Sequence, residues 1–399
     1  MASPSRSLWS PALFGALVLC AAACSSSATD SSQTPASGGN SGTTAGSANG
    51  GSSVGGANSA GFTSTGGSQS AAGSGSNAAG TTGTSGGAGG SSTAGSAGAT
   101  SGGAGGGAST FWDPSGIPAA KNIMMFKFLN RTNGKYTDDK VFWSFKNAAN
   151  NIDETHSIAE QPLYDMPGNN SGRMYFYVEE ANGKYYDFIE FTIGGTTPAF
   201  NGNTTRVDAF GLKIAMLLHC SDNFEASVGE NEDTFAEDRT VTFQKFMDEA
   251  PAEFKNLAMV QAPYRIVEPG AGGFNAGGMY ADYYDSFVDQ LWSANGLTIT
   301  KPGPNGSGLG AYPDISAAIM RHVGAVAGTF SADGKLMNNS LWKDATTFYT
   351  AAPADYYARF WHERAINGKA YGFPYDDVGG YSSYISHQNP QYLEVAIGF

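Results

Sequence analysis

Alternating apolar and polar residues predict a series of short β-strands in the part of the chain that follows residue 110. Runs rich in β-branched and aromatic residues, separated by Asn- and Gly-bearing turns, are typical of antiparallel sheets. The predicted strands cover residues 123–129, 140–145, 174–178 and 185–193, with a further strand or strand pair at 205–218. Short strands with turn signals between them predict a sandwich or a barrel.

The pattern changes to a helical period after residue 237. Apolar residues recur every three or four positions in residues 238–259, where Pro251 interrupts the helix. The same period predicts helices at 279–292, 313–327 and 354–366, and residues 371–399 return to strand and loop.

This order of elements predicts an α+β fold, with a β-barrel or sandwich, an inserted helix-rich α/β lobe and a wide cleft between them. The β lobe is expected at about 111–235 and 368–399, and the α/β lobe at about 236–367.

Residues 25–108 show no apolar periodicity. They hold 26 of the 55 glycines of the chain, and Asp30 is their only charged residue. Such a segment buries too little apolar surface to offset the entropy of ordering it. We therefore expect a disordered Gly/Ser-rich linker at 25–110, acting as a flexible tether for a folded domain at 111–399.

The N-terminus has the pattern of an export signal. Its apolar run at 11–23 is too short to span a bilayer and fits the apolar region of a secretory signal. The run ends in Ala21-Ala22-Ala23-Cys24, which resembles a bacterial lipobox. The resemblance implies a signal peptide at 1–24, lipidation of Cys24, and a protein anchored at the cell surface or outer membrane. An ordinary signal peptide, cleaved near Ala23 and giving a secreted protein, is the alternative.

Charge and cysteine content narrow the possible functions. The 22 basic and 35 acidic residues give a net charge of −13, which repels phosphate backbones, so no nucleic-acid partner is expected. Cys20 and Cys24 belong to the signal segment, so Cys220 has no disulfide partner and is expected as a buried thiol. The five histidines lack ligand-like spacing, the acidic run at 225–238 is expected to be a solvated loop, and neither a metal site nor a cofactor is predicted.

Two acidic residues lie within apolar strand patterns. In residues 186–193 the period of two places Glu190 on one face with Thr192, opposite a core face of apolar residues. In residues 206–210 the same alternation places Asp208 with Arg206. Two carboxylates facing one cleft would suit glycoside hydrolysis, in which one acid protonates the leaving oxygen and the other activates water. Single acids on a solvated strand face are also common, so the pattern alone leaves both interpretations open.

Several segments extend this pattern into a family resemblance. EFT at 190–192 and VDAFGLKI at 207–214 resemble the paired strands of thaumatin-like proteins. They resemble more closely those of glycoside hydrolase family 64, the β-1,3-glucanases that release laminaripentaose. Further similar segments follow in the family's order and extend the resemblance over residues 111–399, at 241–257, 264–270, 274–292 and 372–383.

The resemblance implies an inverting endo-β-1,3-glucanase that binds β-1,3-glucan. A monomer is expected. The resemblance assigns Glu190 as the general acid and Asp208 as the general base. It places Thr192 and Thr205 along the glucan groove, although both could equally be ordinary strand-face threonines.

Asp376 and Asp377, within GFPYDDVGGYSS, are further candidates for the acidic cleft, although Asp-Asp before Gly-Gly is also ordinary turn chemistry. A non-catalytic glucan-binding or adhesion lipoprotein on the same fold is the alternative function, and a structural surface protein without sugar contacts is the third.

Overall fold

The computed structural model describes residues 111–195 and 199–399 of the chain, which form a mixed α+β fold, as predicted. The strands are β1 Met124–Asn130, β2 Val141–Asn147, β3 Ile152–Ser157, β4 Leu163–Met166, β5 Asn170–Val178, β6 Tyr186–Ile193, β7 Ala199–Thr204, β8 Ala209–Phe210, β9 Lys213–Cys220, β10 Glu225–Gly229, β11 Ile266–Val267, β12 Tyr384–Gln388 and β13 Pro390–Gly398. The α-helices are α1 Glu232–Ala236, α2 Arg239–Glu249, α3 Ala252–Lys255, α4 Leu257–Val260, α5 Asp285–Asn295, α6 Pro313–Arg321 and α7 Tyr356–His362.

Two sheets pack face to face. One has the strand order β10-β9-β13-β1-β4 and the other the order β12-β7-β6-β5-β2-β3. Their inner faces share one apolar core, in which the ring of Phe126 on β1 lies 5.3 Å from that of Phe191 on β6. Phe128 likewise stacks on Trp143 of β2, with ring centroids 4.8 Å apart. The two layers therefore form a sandwich.

The predicted alternative of a closed barrel is wrong. The five-stranded sheet ends at β10 and β4, and the six-stranded sheet ends at β12 and β3, and the two share none of the described strands. The chain passes from β3 to β4 through a turn at residues 158–162, and this crossing moves it to the other sheet rather than continuing the hydrogen-bonded ladder. Each sheet consequently keeps open edges.

A second apolar core is formed mainly by the helices. Phe210 stacks on Trp361 of α7 at 4.4 Å, and Phe246 of α2 meets Phe360 of α7 edge-on at 5.0 Å. The short β8 pairs with β11, in the register Phe210 with Ile266. This pairing ties the segment that follows Asp208 directly to the helical part of the molecule.

The predicted helices are present, with different ends. The predicted helix at 238–259 is divided into α2, α3 and α4, and Pro251 is the N-cap of α3. The predicted helix at 279–292 begins only with α5. The predicted helix at 313–327 is too long, because His322 adopts a left-handed conformation with φ 55° directly after α6.

Two expectations for the middle of the chain are corrected. Residues 205–208 are not a strand, so the predicted strand at 205–218 is reduced to β8 and β9. The acidic run at 225–238 is not a solvated loop throughout, because it contains β10 and α1, and Glu230 between them is buried. Glu230 pairs with a buried arginine, a long-range contact that a local charge pattern does not reveal.

The predicted signal peptide at 1–24, with Cys24, and the predicted linker at 25–110 lie outside the described residues. Within the described part of the chain, the longest helices have 11 residues, and none is long and apolar enough to cross a membrane. Cys220 is a buried free thiol, as expected, and burial raises its pKa to about 11.

Candidate active site

Glu190 lies on the outer face of the six-stranded sheet. Ile189, Phe191 and Ile193 are buried in the sandwich core, whereas Glu190 and Thr192 between them are only partly covered. This confirms the alternation predicted for the strand, because β6 is half-buried and antiparallel to both of its neighbours.

A single arginine joins the two predicted carboxylates. Arg173 lies opposite Glu190 on β5, and its Nε donates to Glu190 Oε1 at 2.9 Å. Its Nη1 donates to Asp208 Oδ2 at 2.8 Å. The guanidinium also lies 4.1 Å from the ring centroid of Phe188, which supports it from below as a cation–π contact. The two carboxylates are thus brought to one place, with a positive charge between them.

The environment of Glu190 shifts the pKa of its carboxyl group. Burial raises the pKa of Glu190 above its ordinary value, and the negative charge of Asp208 adds to that rise. Arg173 and a hydrogen bond from Asn203 act in the opposite direction without cancelling the effect. The side chain keeps 19% of its surface exposed, so this acid remains accessible to a ligand.

Asp208 is held by a turn that a buried arginine anchors. The alternation predicted for residues 206–210 is wrong, because Arg206 is buried while Asp208 is exposed. Arg206 binds Glu230 through Nε and Nη2 at 2.8 and 2.7 Å, and it binds Asp187 through Nη1 at 2.8 Å. The hydroxyl of Tyr357 donates to the Arg206 carbonyl at 2.7 Å. The turn therefore directs Asp208 outward.

A close backbone approach completes this anchor. The N–H of Gly211 donates to Asp187 Oδ2 at 2.8 Å, and the Gly211 carbonyl accepts from Nε of Arg239 at 2.9 Å. A Cβ at Gly211 would lie 1.9 Å from the carbonyl oxygen of Tyr186, so only glycine fits there.

The two threonines occupy different environments. Thr192 is partly exposed on the face that carries Glu190, and its Oγ1 lies 2.8 Å from Oγ of Ser171. Thr205 is buried, and its hydroxyl accepts from the N–H of Val207 at 3.1 Å. Thr192 is therefore placed to meet a ligand, whereas Thr205 closes the turn before Asp208.

Asp376 and Asp377 are not brought to the ion pairs of Arg173. Asp376 is fully buried, and its carboxylate accepts from Arg321 Nη2 at 2.9 Å and lies 3.0 Å from Nε2 of His362. Burial alone would raise the pKa of Asp376, but His362 and Arg321 hold it below its ordinary value. Asp377 is exposed in the following turn, where its carbonyl accepts from the N–H of Gly380.

Sequence reasoning missed three polar residues at this site. Arg173 alternates outward with Tyr175 on β5, but only the strand register shows that it faces Glu190. Asn203 lies opposite Glu190 on β7. Glu268 accepts from the N–H of Ala271 at 2.6 Å, and its pKa is raised by burial and by the nearby charge of Asp208. The predicted strand at 174–178 begins one residue after Arg173, so its alternation was not extended to this residue.

Within residues 111–195 and 199–399, no group of three or more His, Cys, Asp or Glu side chains is placed to hold a metal ion. The chemistry that the described site offers is that of two carboxylates, one on a partly buried strand face and one on an exposed turn, held on a shared arginine. One acid of raised pKa beside a second carboxylate is an arrangement that supports general acid–base catalysis.

Comparison with known proteins gives consistent results. A family model for β-1,3-glucanase, glycoside hydrolase family 64, matches residues 178–312 and 311–397, more than half of the chain. A glucan endo-1,3-β-glucosidase of Cellulosimicrobium cellulans is 36% identical over 87 residues. That match covers 21% of this chain and only 16% of the length of the curated relative.

Solved structures resemble the chain over a longer range. The laminaripentaose-producing β-1,3-glucanase of family 64 from Paenibacillus barengoltzii is 29% identical, with a TM-score of 0.59. The match covers 73% of this chain and 79% of that structure. A second structure of the Paenibacillus enzyme, complexed with laminarihexaose, gives 29% identity and a TM-score of 0.58, covering 72% of this chain and 78% of that one.

Proposed function

The chain belongs to glycoside hydrolase family 64, the β-1,3-glucanases, and on this premise we propose that it hydrolyses β-1,3-glucan at the site around Arg173. The observation that carries the proposal is the pair of carboxylates on one guanidinium, Glu190 and Asp208, on the outer face of the six-stranded sheet. Glycosidases commonly use two carboxyl groups, and this pair lies within the matched residues.

In the proposed mechanism Glu190 is the general acid. Its raised pKa keeps a proton available at a pH where an ordinary glutamate has lost it, and that proton goes to the oxygen of the leaving sugar. Asp208 is the general base, which takes a proton from the water that attacks the anomeric carbon. Its exposure on the turn leaves its carboxylate open to that water.

We propose that the reaction inverts the anomeric centre. Inverting glycosidases keep the two carboxyl groups about 6.5–9.5 Å apart to admit water, whereas retaining enzymes need about 5–5.5 Å for direct attack on the sugar. The resemblance to the family, which works by inversion, supports this proposal, and Arg173 binds the two carboxylates through different nitrogen atoms. The same guanidinium orients Glu190 and Asp208 while their protonation states change during the reaction.

The glucan is proposed to lie in a wide cleft of a thaumatin-like fold, between the sheet face and the helical part. The pairing of β8 with β11 supports this placement, since β8 directly follows Asp208 and β11 directly precedes Glu268. Thr192 is proposed to contact the sugar, and Thr205 to act through the turn that it closes. Asp377 is kept as an exposed candidate, and Asp376, being buried, is proposed to support the loop that carries Asp377.

The experiment that tests the function uses the purified protein with laminarin, curdlan and, as a β-1,4-linked control, soluble cellulose derivatives. We expect cleavage of the β-1,3-linked glucans alone, release of the α-anomer as the first product seen by NMR, and laminaripentaose as the main product. A monomer is expected by light scattering.

Three results would each contradict part of this proposal. An initial β-anomer would overturn inversion, and a main product of another length would overturn the pentaose assignment. Retained binding of laminarin without any cleavage would instead favour the alternative of a non-catalytic glucan-binding or adhesion lipoprotein.

We further propose that lipid on Cys24 tethers the protein to the bacterial surface through the segment at 25–110. The lipobox-like Ala21-Ala22-Ala23-Cys24 supports this proposal. In the native host, the Cys24→Ser variant is expected to move from the membrane fraction to the soluble fraction, whereas Cys20→Ser, a matched change within the apolar run, leaves the protein on the membrane. Membrane retention of the Cys24→Ser variant would exclude lipid anchoring at this residue.

A further inference from the structure

A row of uncharged polar residues crosses four strands of the six-stranded sheet, one step away from Glu190. The strand register places Ser171 opposite Thr192, Thr192 opposite Asn201, and Asn201 opposite Ser386. We call these four residues the polar row. With neighbouring strands about 4.8 Å apart, the row extends for about 14 Å across β5, β6, β7 and β12.

Hydrogen bonds fix the side chains of the polar row. Oγ of Ser171 lies 2.8 Å from Oγ1 of Thr192, and Oγ of Ser386 donates to Oδ1 of Asn201 at 2.6 Å. The hydroxyl of Tyr384 donates to the same Oδ1 at 2.9 Å. Since Oδ1 of Asn201 accepts both bonds, the amide orientation is set and its NH₂ donors point away from that pair.

Tyr384 is an exposed aromatic residue at one end of this surface. It lies on β12, the edge strand, and its relative exposure is 48%. Its backbone lies opposite Asn203, which in turn lies opposite Glu190. The backbone of Tyr384 therefore lies in line with Asn203 and Glu190 across the sheet, while its hydroxyl binds Asn201 of the polar row. An exposed ring held by its hydroxyl loses little further freedom when it binds a ligand.

The polar row and Asp208 lie on opposite sides of Glu190 along the strands. The chain leaves β7 at Thr204, opposite Ile189, and then continues to Asp208. Thr192 and Asn201 lie on the other side of the Glu190 row. A polymer that crosses Glu190 and continues away from Asp208 would therefore pass over the polar row.

We propose that the polar row and Tyr384 form a binding site for sugar units of the glucan chain beyond the cleaved bond. The inference rests on the proposed function and deepens it, because it assigns the residues that distinguish long glucans from short ones. Hydroxyl and amide groups match sugar hydroxyls, and the Tyr384 ring matches the apolar C–H face of a pyranose. The absence of charge within the four residues of the row suits a neutral polymer.

The test compares Tyr384→Ala with the parent on long laminarin and on the shortest oligosaccharide that the parent cleaves. We expect KM for laminarin to rise about tenfold with little change in kcat, because binding common to the ground state and transition state is lost. The short oligosaccharide should be cleaved as by the parent. Tyr384→Phe keeps the ring and is expected to stay within about threefold of the parent.

The matched control is Tyr392→Ala, which removes a half-buried tyrosine from the other sheet, where Tyr392 stacks on His219. Equal losses in the two variants, or an unchanged KM for laminarin in Tyr384→Ala, would overturn the inference while leaving the proposed function intact.

Laminarin binding to the parent and to Tyr384→Ala, measured by affinity electrophoresis, separates the two claims. Binding by the parent without cleavage, lost in the variant, would support the inference and overturn the proposed activity. A parent that neither binds nor cleaves laminarin would overturn both.

Discussion

Replacing Glu190 by Gln, or Asp208 by Asn, is expected to lower kcat/KM for laminarin by about 10³-fold, a loss in the middle of the range for removal of a general acid or base. The amide of Glu190→Gln would have no acidic proton to give to the leaving oxygen, and the amide of Asp208→Asn could not take a proton from water. Each variant keeps the size and shape of the original side chain, so the groove should still bind laminarin. Initial rates and equilibrium binding, measured side by side, separate the two effects.

The stability of both variants provides the control. Glu190 is partly buried with its pKa raised, so a neutral amide at this position removes an ion pair but also removes a cost of burying charge. We expect the free energy of unfolding to change by no more than about 1 kcal/mol. Unchanged turnover in both variants would refute the assignment of the site, and loss of turnover caused by unfolding would appear as an altered denaturation curve.

The pH profile of the parent gives a second measurement of the same acid. The proposed general acid, Glu190, must be protonated to donate its proton, so kcat/KM should fall as the pH rises through its folded-state pKa. Because burial raises that pKa, the alkaline limb should lie above the range of an ordinary glutamate. An alkaline limb at or below the ordinary value would contradict the assignment of Glu190 as the acid.

Local patterns predicted the strand that carries Glu190 because burial alone determines its alternation. From Ile189 to Ile193 the period of two is simple: one face packs into the sandwich, and Glu190 and Thr192 on the other are partly exposed. Strands such as β3 and β7 were missed because their sequences, IDETHS and AFNGNT, contain many polar residues and glycine, which have low strand propensity. Their pairing with neighbouring strands overrides that propensity.

The same local reasoning failed at Arg206. Alternation placed Arg206 beside Asp208, but the side chain turns inward because Asp187 and Glu230 meet it inside the protein. Asp187 lies in β6 and Glu230 directly follows β10. A local sequence pattern around Arg206 therefore does not reveal either ion pair. Asp376 is a second such case, since its partners Arg321 and His362 come from α6 and α7.

Replacing Arg206 by Met is expected to lower the free energy of unfolding by about 3–5 kcal/mol, because it leaves buried carboxylates without their cation. The side chains of Arg206 and Asp187 are 3% and 0% exposed, and that of Glu230 is 6% exposed. Water therefore cannot replace the lost contacts. Urea denaturation followed by tryptophan fluorescence measures the change.

Arg173→Met is the matched control, since it makes the same chemical change at a guanidinium whose side chain is 26% exposed. Asp208 is exposed and Glu190 is partly exposed, so water reaches both carboxylates that Arg173 leaves behind, and the loss of stability should be clearly smaller than that of Arg206→Met. Equal losses of stability in the two variants would contradict the distinction between the buried anchor and the accessible site.

A double variant, Arg206→Met with Glu230→Gln, tests the cause of the loss at Arg206. If the cost of Arg206→Met comes from an uncompensated buried charge, neutralising Glu230 should restore part of the stability, and the two changes should not be additive. Additive losses would show instead that the packing of Arg206 against the rings of Phe210 and Trp361 dominates. Whichever cause dominates, the Arg206→Met variant should lose the contacts that hold the turn carrying Asp208. Its activity is therefore expected to fall even at temperatures where the protein remains folded.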